Sequence, residues 1–107
     1  MQAPLQITFR NLPHSDTIAS EIKRQFARLQ RFSNRIIRCQ VAVEIPYHHH
    51  REGNSYHIRI KLTMPGEELV VNQDASDRSP ENAYIAIRDA FNAARRELKE
   101  YSMLQKL

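Results

Sequence analysis

The chain has 107 residues, 41% hydrophobic and 26% charged, which is material for one domain around one core. Sixteen Lys and Arg against twelve Asp and Glu leave a net charge of +4, with two glycines and one cysteine. This composition excludes an internal disulfide, a glycine-rich phosphate loop and a membrane-spanning run, which needs roughly 18 apolar residues.

Met1-Gln2-Ala3-Pro4-Leu5 has neither the basic start nor the apolar stretch of a signal peptide, so a cytosolic protein is expected, and the lone Cys39 fits a reducing compartment. Leu5 to Arg10 alternates apolar and polar residues, the pattern of a half-buried strand. Asn11-Leu12-Pro13-His14 breaks it, and Ser15 or Asp16 can cap the helix that follows. Ile18, Ile22, Phe26 and Leu29 recur at helical spacing, which predicts a first helix from Asp16 to Phe32, ended by Ser33-Asn34.

A second strand is predicted from the alternation of Ile37, Cys39, Val41, Val43 and Ile45 with Arg38, Gln40, Ala42 and Glu44, stopped at Pro46. His48 to Asn54 makes a polar turn. In the third strand Tyr56, Ile58, Ile60, Leu62 and Met64 alternate with His57, Arg59, Lys61 and Thr63. Pro65-Gly66 is a turn dipeptide, and Glu67 to Gln73 completes an antiparallel meander. Asp74 to Asp77 is read as a polar linker. Ser79-Pro80-Glu81 starts a second helix, with a capping hydroxyl, proline at the first position and an early carboxylate. Its stripe is Tyr84, Ile87, Phe91, Ala94, Leu98 and Tyr101.

The order β-α-β-β-β-α predicts a single α+β domain over residues 1–107. The simplest way to bury every apolar face is a four-stranded sheet with both helices on one side. The other sheet face then keeps Arg38, Gln40, Glu44, His57, Arg59, Lys61 and Thr63 in water.

Twelve of the sixteen cations are arginine. Guanidinium forks match phosphate geometry and stack on bases, so the bias suits RNA, although a mildly basic surface without a partner has the same composition. Arg24, Arg28 and Arg31 fall on one face of the first helix, with Lys23 beside them and Arg35 extending the row. Arg88, Arg95 and Lys99 share a face of the second, with Arg96 adjacent. Two such ridges side by side would flank a groove of one sign, which concentrates a polyanion; the bland alternative is two solvated helix faces.

The segment Ala83-Tyr84-Ile85-Ala86-Ile87-Arg88-Asp89-Ala90-Phe91, continuing through Ala94-Arg95-Arg96-Glu97-Leu98, resembles the second-helix pattern of the ribosome hibernation factors, the sigma-54 modulation or ribosome-associated inhibitor family. Phe26-Ala27-Arg28-Leu29 and Asn34-Arg35-Ile36 are similar to the family's Lys-Leu and Asp-Arg-Ile elements, and Leu5 to Thr8 and the Pro65-Gly66 turn also fit. The chain departs from the pattern at Asn82-Ala83, where the family has an acidic-Met pair, and at Ala93, where a lysine is common.

The resemblance implies binding to the small ribosomal subunit in the channel used by messenger and transfer RNA, and silencing of translation under starvation. It implies contacts to ribosomal RNA from Arg28, Arg35 and Arg96; the remaining cations of the ridges rest on spacing. Long relatives carry a further domain that pairs ribosomes, or a cold-shock-like one. A chain that ends at Leu107 is expected to carry neither, and on the resemblance either blocks single ribosomes or helps a separate partner pair them; an unpaired edge strand could also join a second copy.

Other chemistry finds little footing. Three consecutive residues of an extended chain point to alternate sides, so His48-His49-His50 do not converge on one metal ion; they read as a solvated turn or a hairpin tip that reaches RNA. No Ser, His and Asp are placed as nucleophile and base, and Glu67-Glu68 in a strand face opposite ways. No enzyme activity, cofactor, metal or small-molecule substrate is expected. The alternative function is a regulatory module that binds a protein through the open sheet face.

Overall fold

A computed structural model describes residues 3–45, 56–75 and 80–105 of the chain. Its elements run β1 Leu5–Arg10, α1 Asp16–Phe32, β2 Arg38–Glu44, β3 His57–Met64, β4 Glu67–Asp74 and α2 Pro80–Gln105. This is the α+β order that the alternations and stripes predict. The His48–His50 turn and the capping Ser79 lie outside the described residues.

The four strands form one sheet in the order β1-β2-β3-β4. β1 is parallel to β2, because α1 carries the chain back across the sheet, and the other pairs are antiparallel. The register sets Leu5, Cys39, Leu62 and Leu69 in one row, and Ile7, Val41, Ile60 and Val71 in the next. These rows face the helices. Ile18, Ile22, Phe26 and Leu29 of α1 meet Ala83, Ile87, Ala90, Phe91, Ala94 and Leu98 of α2 over them in one buried cluster. Four alanines of α2, at positions 83, 86, 90 and 94, are almost fully buried, and their small side chains let the helix lie close to its neighbours.

Local chemistry fixes the ends of the elements. Ser15 caps α1, its hydroxyl accepting from the Ile18 N–H at 3.2 Å, and Asp16 puts a carboxylate in the first turn. Asn11 takes a left-handed backbone, φ 62°, and its amide donates to the Ile45 carbonyl. The β3–β4 hairpin turns on Pro65-Gly66, with Gly66 at φ 75°, the pairing of a type II turn. Tyr101 of α2 reaches that turn, its hydroxyl donating to the Pro65 carbonyl at 2.8 Å.

Two readings of the sequence need correction. Ile37 is not on the core face: it is 52% exposed, and Ile36 turns inward instead. Regular pairing begins only at Arg38 opposite Thr63, so the two-residue alternation does not govern the approach to the strand. Asp74 is not linker but the last residue of β4, opposite His57, and Ala75 donates its N–H to the Tyr56 carbonyl.

Candidate nucleic-acid interface

α1 and α2 lie side by side on the sheet, and a depression of about 310 Å³ runs between them. It is lined by Gln25, Arg28, Leu29, Arg31 and Phe32 of α1 and by Phe91, Asn92 and Arg95 of α2. The apolar members are the edges of the two core stripes, so the groove exists because the stripes face down and leave their shoulders open. The flanking positions are arginines. A second depression of about 410 Å³ adjoins it at Arg31 and Phe32 and adds Arg35, Asn34 and Ser102.

Of the nine cations marked by spacing, the structure brings Arg28, Arg31, Arg35 and Arg95 to these depressions. Arg24 and Arg88 meet at Glu21, on an earlier turn of α1. Arg24 donates to both Glu21 oxygens, at 2.8 and 3.0 Å, and Arg88 Nε stands 3.6 Å from Oε2. Gln25, a buried polar side chain, donates to the same carboxylate at 2.9 Å. Arg96 and Lys99 are exposed on α2 beyond the groove lining. Lys23 is set apart: it lines a different depression with Leu5, Ile7, His14 and Asp16, on the β1 flank of α1. A rotation of about 100° per residue along a helix carries Lys23 a quarter-turn and more from Arg24, away from α2.

Charge is distributed unevenly between these groups. Among the described residues, the ion pairs of the nine cations are those of Arg24 and Arg88 with Glu21. Arg28, Arg31, Arg35, Arg95, Arg96 and Lys99 have no described carboxylate within ion-pair distance, which leaves their charge available to an incoming anion. Glu21 itself is only 13% exposed. Burial pushes its carboxyl up, but hydrogen bonds from Gln25 and Arg24 and the charges of Arg24 and Arg88 outweigh this, and its pKa falls below the ordinary 4.5.

One aromatic was not singled out by the sequence. Phe32, the last residue of α1, is 40% exposed, and the Arg95 guanidinium lies over its ring at 4.9 Å from the centroid. The i+3 step from Leu29 continues the apolar stripe, which hides such a residue among core positions. By contrast, Tyr84, Phe91 and Tyr101 pack in or against the core, as their spacing predicts.

The open sheet face is mixed in sign. Arg10, Glu44, His57 and Asp74 form one row across it, and Lys61 pairs with Glu68 at 3.7 Å. His57 is held between Asp74 at 2.6 Å and Asn72 at 3.1 Å. Cys39 is fully buried, and burial pushes its thiol up to about 12, so it is no nucleophile at neutral pH. Among the described residues, no helix is long and apolar enough to cross a membrane, and no three His, Cys, Asp or Glu cluster as metal ligands.

Two solved structures share this architecture. The N-terminal domain of Protein Y from Thermus thermophilus superposes with a TM-score of 0.72 at 21% identity, covering 94% of this chain and 99% of that one. A protein from Coxiella burnetii, described as a ribosomal subunit interface protein, gives a TM-score of 0.77 at 13% identity, covering 94% and 98%. No curated protein matches the chain in sequence. Identities this low speak for the fold alone, but the family model for sigma 54 modulation protein / S30EA ribosomal protein matches residues 5–105, from the first residue of β1 to the last of α2. The chain belongs to that family of ribosome-associated proteins.

Proposed function

We propose that the protein binds the small ribosomal subunit through ribosomal RNA of the messenger and transfer RNA channel, and so blocks translation under stress. The observation that carries this reading is the groove between α1 and α2, lined by Arg28, Arg31 and Arg95 and continued by Arg35, with no described carboxylate paired to any of them. Membership of a ribosomal family supports it, as does the fold shared with a structure described as a ribosomal subunit interface protein.

The mechanism is steric exclusion held by charge. Arginines in the groove take phosphates of a folded RNA surface, while Arg24 and Arg88, steadied by Glu21, fix the spacing of the helices at one end. Arg96, Lys99 and, from the far flank of α1, Lys23 add to the field that draws the protein in. Phosphate contacts position a protein without reading sequence, so the target is recognised by shape. No bond is made or broken.

Co-sedimentation with small subunits, large subunits and whole ribosomes tests this directly. Binding to small subunits and whole ribosomes, relieved by messenger and transfer RNA, is the expected outcome. Replacing Arg28, Arg31, Arg95 and Arg96 by Gln should abolish it while thermal unfolding stays unchanged. Binding by the fourfold variant at wild-type strength would sink the groove as the RNA surface.

A further inference from the structure

An isolated exposed phenylalanine on a protein surface is unremarkable. Phe32 differs in its setting. It lines two adjoining basic depressions, of about 310 and 410 Å³, that also share Arg31; Arg28 lines the first and Arg35 the second. One ring face is covered by a planar cation, the Arg95 guanidinium. The C-cap fixes the end of the helix that carries the ring, since the Ser33 N–H donates to the Leu29 carbonyl at 3.1 Å. A fixed aromatic face beside several unpaired guanidinium groups offers what an unpaired nucleotide requires: a π surface for the base and donors for the flanking phosphates.

We infer that Phe32 and Arg95 form a stacking site for one unpaired nucleobase of the bound RNA. The inference rests on the RNA-binding reading of the groove and adds to it a contact that charge alone does not make. The exposed Arg95 side chain lifts from the ring as the base enters and closes over the base's other face. Arg28, which lines the first depression, and Arg35, which lines the second, hold the phosphates before and after it. The site then favours unpaired nucleotides over continuous duplex, whose bases are already stacked on one another.

The chain contains no tryptophan, so Phe32→Trp introduces a sole indole whose emission reports stacking. Titrated with a ten-nucleotide oligoadenylate, its emission should be quenched; titrated with inorganic polyphosphate, which has charge but no bases, it should not. Phe32→Leu keeps an apolar side chain and removes the π face. Its affinity for small subunits should fall about tenfold, with thermal unfolding unchanged. Emission unmoved by oligoadenylate, equal quenching by polyphosphate, or wild-type affinity in Phe32→Leu would each overturn the stacking site. If Phe32→Leu binds normally while the fourfold Gln variant does not, the RNA reading survives and only the stacking site falls. If the wild-type protein binds no subunits, both fall together.

Discussion

Glu21 ties together three side chains of the two helices, Arg24, Gln25 and Arg88, and its position explains why the arginine rows are not equivalent. A carboxylate that accepts from Arg24 and Gln25 and attracts Arg88 holds α1 against α2 at one end of the groove, and leaves the cations beyond it unneutralised. Charge-assisted hydrogen bonds between part-exposed partners are modest, so Glu21→Gln should cost about 1 kcal/mol at neutral pH. The folded pKa lies below the ordinary 4.5, so this stabilisation is complete above that value and is lost as pH falls through the lower folded one. Urea denaturation should therefore show the gap between wild type and Glu21→Gln closing below pH 4.5; a gap that persists in acid would remove the linkage.

The positions of Arg28, Arg31 and Arg95 beside the groove were legible in the sequence, because spacing along a helix converts into a shared face; the pairing of Arg24 and Arg88 with Glu21 and the separate place of Lys23 were not. Nor was Phe32. Its exposure depends on what lies beneath the last turn of α1, which spacing does not encode.

At the level of elements, every strand and helix follows from a local signal. The two-residue alternations gave the strands, the apolar stripes gave the helices, and Pro65-Gly66 gave the hairpin. The corrections fall where an element meets its neighbours: Ile37 and Asp74 sit at strand ends, where pairing with a partner strand decides the backbone and side-chain pattern does not. Contacts between distant elements were also invisible. The stripe spacing places Tyr101 in the core, but its hydrogen bond to the Pro65 carbonyl joins residues 36 apart and depends on how far α2 runs over the sheet. Tyr101→Phe keeps the ring and removes that bond. It should lower stability by about 1 kcal/mol, read as a lower urea midpoint with an unchanged m-value. No shift in midpoint would mean that the hydroxyl contributes nothing beyond the packing of its ring.

Taken whole, the molecule measures 48 × 25 × 20 Å, and the 26-residue α2, about 39 Å long at 1.5 Å per residue, spans most of its length. Arg28, Arg31, Arg35, Arg95, Arg96 and Lys99 belong to the helices or their ends, while the opposite sheet face sets Arg10, Arg38, Arg59 and Lys61 among Glu44, Glu68 and Asp74. On the proposed function, the helix side is the one that meets ribosomal RNA. If about five phosphates are neutralised, affinity for small subunits should fall roughly 10²–10³-fold between about 50 and about 200 mM salt. A slope near zero in a salt titration would point to an interface dominated by apolar contacts instead.

The parallel strand β1 sets a timetable for folding. β3 and β4 are joined by two residues, so they can zip together early, whereas β1 finds β2 only after a loop of 34 residues has closed through α1. β1 is also the one strand with no buried side chain. Such a strand is the last to dock and the first to detach, a latch on an otherwise assembled body. Amide exchange in β1 should outpace that in β2 and β3, and equal protection in all three would contradict the latch. Release of that one edge leaves the meander and its hairpin intact, so partial opening and proteolytic nicking would begin at the N-terminal strand, on the flank of the domain away from the arginine groove.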